Sequence, residues 1–258
     1  MLDQYTLAKK LAFLFGFFPR TLLGTVKGIP YFLRTLRKYQ RLNRNPSFGI
    51  SLRNLFPILS DRGAGAGVAE GHYFHQDLWA ARKIFERAPG RHIDIGSRID
   101  GFVAHLLVFM PVTVIDIRPL DSGTSKLSFI QDDATKLAQI NSDSIVSLSS
   151  LHAAEHFGLG RYSDPIDPLA CFDFMNALQR VLEPGGRLYF SVPVGSQRVE
   201  FNAHRVFAPE TIVESFPKLR LVSFSYVGDD GSLYLDAELA VAGRCHYGCG
   251  LFEFTKPV

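Results

Sequence analysis

Apolar positions along this chain change their period several times, and each change marks an element. From Tyr31 to Arg44, Phe32, Leu36 and Tyr39 recur at helical spacing with Arg34, Arg37, Lys38 and Arg41 opposite, which predicts an amphipathic helix. Residues 46–72 lose that period and gather Pro and Gly, ending in DRGAGAGVAEG, the pattern of a linker or loop. Helical spacing returns over FHQDLWAARKIFERA (74–88), with Leu78, Ile84 and Phe85 among its apolar positions, and Pro89-Gly90 stops it. Short apolar runs then alternate with helical ones. RHIDIG predicts a strand ending at Gly96, FVAHLLVFM a helix, and TVIDI (113–117), LSFIQDD (127–133) and SIVSLSSL (144–151) three more strands. ACFDFMNALQRVL (170–182) reads as an amphipathic helix closed by Pro184-Gly185-Gly186, and RLYFSVPV (187–194) as the fifth strand. LRLVSFSYVG and LDAELAVAG, on either side of Asp229-Asp230-Gly231, predict an antiparallel hairpin. Apolar strands alternating with helices, without period-two patterning, predict an open α/β fold whose mostly parallel sheet is covered on both faces.

Of the 258 residues, 47% are hydrophobic and 21% charged, which excludes intrinsic disorder and allows a sizeable core. The longest apolar run, LAFLFGFFP at 11–19, is shorter than the ~20 residues of a membrane-spanning helix. No small-residue cleavage site follows it before Arg20, so it does not read as a secretory signal. Cys171, Cys245 and Cys249 are too few for a disulfide framework, and a reducing, cytoplasmic compartment is expected. Charge is uneven. Residues 1–50 hold nine basic side chains and one acid, Asp3, whereas the remainder holds 19 basic and 24 acidic ones. A basic arm over residues 1–45 on an acidic body points to an anionic partner for the arm alone. Such a helix either lies peripherally on the inner membrane face, gaining about 1 kcal/mol per basic residue, or packs on the body with its charges in water. The body has no basic face interleaved with aromatics, so nucleic acid is not an expected partner.

In a doubly wound sheet, ligands sit outside the carboxyl ends of the strands near the point where strand order reverses. At those ends stand Gly96, Asp116-Ile117, Asp133-Ala134 and Ser150-Leu151. A glycine lets the chain approach a ligand, an acid closing the second strand suits two ribose hydroxyls, and one after the third strand suits an adenine amino group. This is a nucleoside site that makes no demand for phosphate. No G-x-x-x-x-G-K or G-x-G-x-x-G occurs, which disfavours nucleotide hydrolysis and dinucleotide-dependent redox chemistry.

At IDIGSRIDG, VIDIRP, IQDDATKL, SDSIVSLSSLHAAEH and LQRVLEPGGRLYFSVPVG the chain resembles the class I S-adenosylmethionine-dependent methyltransferases, over roughly residues 75–256. GSRIDGFVAHL, GLGRYSDPIDP, FNAHRVF and CGLFEFTK resemble, more narrowly, a methyltransferase-like family of unknown function whose bacterial members are associated with surface-polysaccharide genes. The resemblance implies a Rossmann-like, doubly wound, mostly parallel seven-stranded sheet with a C-terminal antiparallel hairpin. The domains become a basic helical arm (1–45), a linker (46–72) and a methyltransferase-like domain (73–258). It implies S-adenosylmethionine as cofactor, held by Asp94, Gly96, Ser97, Arg98, Asp116, Ile117, Asp133, Ala134, Ser150 and Leu151. One departure is visible: of the family's G-x-G-x-G only Gly96 is in place, and Arg98 stands where the second glycine is expected. Its side chain either narrows the pocket around the methionine carboxylate or pairs with it.

Methyl transfer to a hydroxyl needs a base, and a histidine is suited to that near neutral pH. His156 is the first candidate, with Glu155 orienting it, His152 as runner-up and His204 near the same rim. His152, Glu155 and His156 also spell H-x-x-E-H, an inverted zinc-protease motif, but here it follows a strand of an α/β sheet instead of lying within a helix. Asp164 and Asp167, on a proline-stiffened loop, are weak candidates for a divalent cation or for acceptor hydroxyls. Cys245 and Cys249 lack the second pair of a zinc knuckle, so no resident metal is expected. The expected activity is methylation of a hydroxyl on a small or sugar-like acceptor, in surface-polysaccharide synthesis. The alternative is a catalytically inactive binding or scaffold protein of the same fold in a glycan assembly.

Overall fold

The computed structural model describes residues 19–258 apart from Ala64 and Ser163; the apolar stretch 11–18 and the charges of Asp3, Lys9 and Lys10 lie outside the described residues. The chain divides into two units, one ending at Val68 and one spanning Ala69–Val258. In the first, helix α1 (Pro19–Leu42) contains most of the amphipathic segment and runs through Gly28 and Pro30. Gly28 is required, because a Cβ there would collide with the Leu59 carbonyl. Residues 46–63 form three single 3-10 turns, the first capped by Asn45, and the Arg62 guanidinium lies 4.3 Å above the Tyr31 ring. Phe32 and Leu36 are half-buried, while Tyr39, Arg34, Arg37, Lys38 and Arg41 are exposed. Among the described residues no helix is long and apolar enough to cross a membrane.

In the second unit α2 (His72–Arg87) leads into β1 (His92–Ile95), and a π-helical turn, Ile99–Val103, continues as α3 (Ala104–Leu107) toward β2 (Val112–Asp116). β3 (Leu127–Gln131) and β4 (Ile145–Leu151) are joined by a loop. α4 (Ala170–Val181) precedes β5 (Leu182–Val194), and β6 (Arg198–Glu200) and β7 (His204–Val206) form a separate ribbon. α5 (Pro209–Ser215), β8 (Arg220–Val227), β9 (Leu233–Tyr234), α6 (Leu239–Ala242) and β10 (Gly248–Thr255) follow. The sheet order is β3-β2-β1-β4-β5-β10-β8-β9, with β1 to β5 mutually parallel and β10 antiparallel to both β5 and β8.

Both faces are covered, as the unbroken apolar strands require. Trp79, Ile84, Phe102 and Leu106 from α2, the π turn and α3 pack on Val112, Val114 and Leu251. Phe174, Leu178 and Phe216, from α4 and the end of α5, pack on Leu188, Phe190 and Phe252. The sheet has eight strands, not seven, because a two-residue β9 lies beyond β8. A hairpin does form at the expected turn, β8 with β9, but its second arm is Leu233–Tyr234 and not the expected 235–243: residues 239–242 are helical, and the long antiparallel partner of β8 is β10. Two glycines hid β10 from a propensity reading. Gly250 is bare because a Cβ would stand 2.6 Å from both the Phe252 ring and Val194. The helix before Pro184-Gly185-Gly186 ends at Val181, and the triplet itself is an irregularity within β5, where the register against β4 jumps from Ile145–Leu182 to Ser147–Arg187.

Candidate functional site

Strand order reverses between β1 and β4, and a buried carboxylate holds the two strands there. Asp94 Oδ2 accepts from the hydroxyls of Ser97 (2.6 Å) and Ser149 (2.5 Å), and Oδ1 from the Ser97 N–H (3.1 Å). Ser97 Oγ accepts in turn from the Leu151 N–H at 3.0 Å, and the Ser149 hydroxyl lies 2.8 Å from His92 Nε2. Burial raises the Asp94 carboxyl to about 6 against these hydrogen bonds. The loop so fixed places Gly96 at φ +73°, the left-handed region that glycine enters freely.

Outside these strand ends lies a cleft of about 650 Å3 lined by Gly96, Asp116, Ile117, Asp133, Ala134, His152 and His156. A second lobe of about 600 Å3 shares Gly96, Asp116, His152 and His156 and adds Ser97, Arg98 and Leu151. Four of the expected site residues line neither lobe. Asp94, Ser150 and Glu155 are buried within the protein, and His204, on β7, sits 3.4 Å from Glu200.

The Asp116 carboxylate is engaged by Arg118, whose Nε donates to Oδ1 (2.9 Å) and Nη2 to Oδ2 (2.6 Å). The same guanidinium lies 4.9 Å above the Tyr162 ring. Asp133 accepts from the Thr135 N–H and hydroxyl and pairs with Lys136; burial alone would raise its carboxyl, but these contacts hold it below the usual range. Arg98 turns outward, pairing with Asp100 and lying 5.0 Å above Tyr73. Asp164 gives its oxygens to the N–H groups of Gly158, Gly160 and Tyr162, and Asp167 accepts from the Leu169 N–H. Both carboxylates therefore shape the loop.

The histidines gather at the cleft wall. His156 Nδ1 lies 2.8 Å from the Ala203 carbonyl, which only an N–H can satisfy, so Nε2 carries the lone pair. Burial lowers His156 to about 4, with the Ala203 hydrogen bond opposing, so the ring is neutral at neutral pH. Glu155, buried beside it with Oε1 3.7 Å from Nε2, is raised by burial to about 8. His152 follows β4 at φ +53°. Its backbone N–H donates to the Ser191 carbonyl and lies 3.2 Å from Ser191 Oγ, whose hydroxyl donates to Gln76 Oε1 at 2.7 Å. Burial lowers both His152 and His204. Arg118, Tyr162 and His72 escape the sequence reading, and Cys249 enters it only beside Cys245 as an incomplete zinc knuckle. The i, i+2 spacing of Asp116 and Arg118 is a local signal for the first; the others are brought in by tertiary folding alone.

This is the fold of the class I methyltransferases. Similar solved structures include a Burkholderia thailandensis 1,6-didemethyltoxoflavin-N1-methyltransferase with bound 1,6-didemethyltoxoflavin and S-adenosylhomocysteine, at a TM-score of 0.51 and 15% identity over 71% of this chain and 79% of that one. The [4+2]-cyclase SpnF gives a TM-score of 0.54 and 14% identity over 74% and 89%. Residues 116–225 match the family described as Caenorhabditis protein of unknown function, DUF268. No curated protein matches this chain.

Because Asp94 binds its proton more tightly folded than unfolded, the folded state holds more protons between about pH 4 and 6, and this group's contribution to stability falls as pH rises through that window. Asp94→Asn removes that slope. Urea unfolding of both proteins from pH 4 to 7 should show the wild type losing stability relative to the variant as pH rises; parallel curves would contradict the assignment.

Proposed function

We propose that this protein is an S-adenosylmethionine-dependent methyltransferase acting on a hydroxyl of a small or sugar-like acceptor. The observation that carries this reading is the cleft at the carboxyl ends of β1 and β2, where bare Gly96, Asp116 and Asp133 line one space on a methyltransferase fold. Gly96, with Ser97 and Leu151 of the second lobe, borders the methionine part, Asp116 takes the ribose diol, and Asp133 with Ala134 meets the adenine. A ribose takes Asp116 only by displacing Arg118, whose side chain is 56% exposed and cheap to move. The acceptor oxygen attacks the sulfonium methyl carbon, the carbon–sulfur bond breaks with its electron pair staying on sulfur, and the hydroxyl proton passes to His156 Nε2. Enforced alignment supplies most of the acceleration.

The Asp116–Arg118 pairing also favours a second reading, an inactive scaffold whose ribose acid is permanently occupied. Calorimetric titration with S-adenosylhomocysteine separates the two. An enzyme binds in the micromolar range, loses roughly 10- to 100-fold on Asp116→Ala, when hydrogen bonds to a charged group are removed, and gains roughly 1.5- to 5-fold on Arg118→Ala, when an exposed pair is removed. No heat and no rise in melting temperature at saturating ligand leaves the scaffold.

His156→Gln should keep that binding while slowing label transfer from S-adenosylmethionine by roughly 100- to 10,000-fold in a screen of nucleotide sugars and lipid-linked glycans. Equal rates would remove His156 as the base.

The basic residues exposed along α1 support a further part of the proposal, that the arm docks peripherally on the anionic inner membrane face where lipid-linked glycans are assembled. Deleting residues 1–45 should abolish co-sedimentation with anionic liposomes, and unchanged co-sedimentation would refute this role.

A further inference from the structure

Three side chains from distant parts of the sequence converge beside the cleft: His72 at the start of α2, His152 after β4 and Cys249 in β10, with one ligand-type atom of each within 4.8 Å of the others. The orientation of the rings carries the argument. His72 Nε2 stands 3.1 Å from the Tyr247 carbonyl, so that nitrogen bears the proton and Nδ1 the lone pair. His72 Nδ1 faces His152 Nε2 at 3.3 Å. The other nitrogen of His152, Nδ1, is buried without a hydrogen-bond partner, with Glu155 Oε1 3.8 Å away. Without a metal, His152 Nε2–H donating to His72 Nδ1 is the hydrogen bond the two rings can make, and it leaves the buried Nδ1 of His152 unpartnered. A cation in place of that proton meets both facing nitrogens and returns the His152 proton to Nδ1. Tetrahedral zinc with nitrogens at about 2.0–2.1 Å has an N···N edge of about 3.3–3.4 Å, the observed separation.

We propose that His72, His152 and Cys249 bind a zinc-type divalent cation. The donor set, two imidazoles and a thiol, suits a borderline-soft metal rather than magnesium or calcium. Oxygen acceptors behind both rings, the Tyr247 carbonyl and the Glu155 carboxyl, are the outer partners that orient metal-bound histidines. Three protein ligands leave one tetrahedral position for water or a ligand, as catalytic zinc sites do. His152 also lines both lobes of the cleft, so the ion would stand in its wall. Gln76 Oε1, 3.7 Å from Cys249 Sγ, is the thiol's partner when no metal is bound. The site requires neither cofactor binding nor methyl transfer.

The test is titration of chelator-treated full-length protein with Co(II), which reports tetrahedral sulfur ligation by its d–d and thiolate charge-transfer absorption, followed by displacement with Zn(II). One equivalent should bind with a charge-transfer band. His72→Ala and Cys249→Ala should each weaken binding by more than about 100-fold, beyond the 10- to 100-fold of losing an outer partner. Cys245→Ser, outside the site, should keep the band. A featureless Co(II) titration of the wild type overturns the proposal, as does a spectrum abolished by Cys245→Ser or retained in Cys249→Ala. Because the decisive spectra come from the wild type and Cys245→Ser, misfolding of the other variants cannot rescue it.

Discussion

The site depends on one buried carboxylate. Removing Asp94 from water is costly unless every lone pair it presents finds a donor, and a partly satisfied network would be worse than none. Ser97 and Ser149 supply three donors from opposite sides of the strand reversal, so β1, its loop and β4 are locked as a group. The same serine that donates to Asp94 accepts the Leu151 N–H, which fixes the chain one residue before His152. Gly96 and His152 therefore owe their positions to a group that touches neither lobe of the cleft.

A second chain of contacts reaches the same point from the helix α2 that covers this face of the sheet. One turn after His72, Gln76 Oε1 accepts the Ser191 hydroxyl on β5 and lies beside Cys249, while Ser191 accepts the His152 N–H. The four-residue spacing of His72 and Gln76 puts both on one helix face. Helix, β5 and β10 thus converge on the residue that the Asp94 network delivers. Such agreement between separate elements lets His152 hold a left-handed backbone conformation that a side chain ordinarily disfavours.

What could be read in the sequence was whatever is local or periodic. Strand ends follow from where apolar runs stop, so Gly96, Asp116 and Asp133 were found at the cleft. Asp94 was identified as a cofactor ligand, but burial turns its carboxylate inward, and no one-dimensional pattern distinguishes an acid facing a ligand from one facing a serine. Asp164 and Asp167, weighed as cation ligands, turn carboxylate oxygens to backbone N–H groups of their own loop, a local pairing that short carboxylates readily make. His72 and Cys249 lie 177 residues apart in the chain. They meet only because β10 inserts between β5 and β8, and its glycines, of which Gly250 lets Phe252 pack, concealed that strand.

The fold alone does not choose the chemistry, since one structure sharing it is an N1-methyltransferase and another a [4+2]-cyclase. The distinguishing features are side chains. Arg98, at the glycine position, pairs with Asp100 and lies over Tyr73 in the wall of the second lobe. Arg118 links the two halves of the cleft: it holds Asp116, covers Tyr162, and Tyr162 meets the His156 ring edge-on at 5.6 Å between centroids. A ligand that takes Asp116 from Arg118 also changes what stands on Tyr162, and so alters the wall against which His156 rests. If a nucleoside is held at Asp116 and His156 is the base, as proposed, the two halves of the cleft are coupled through three contacting side chains.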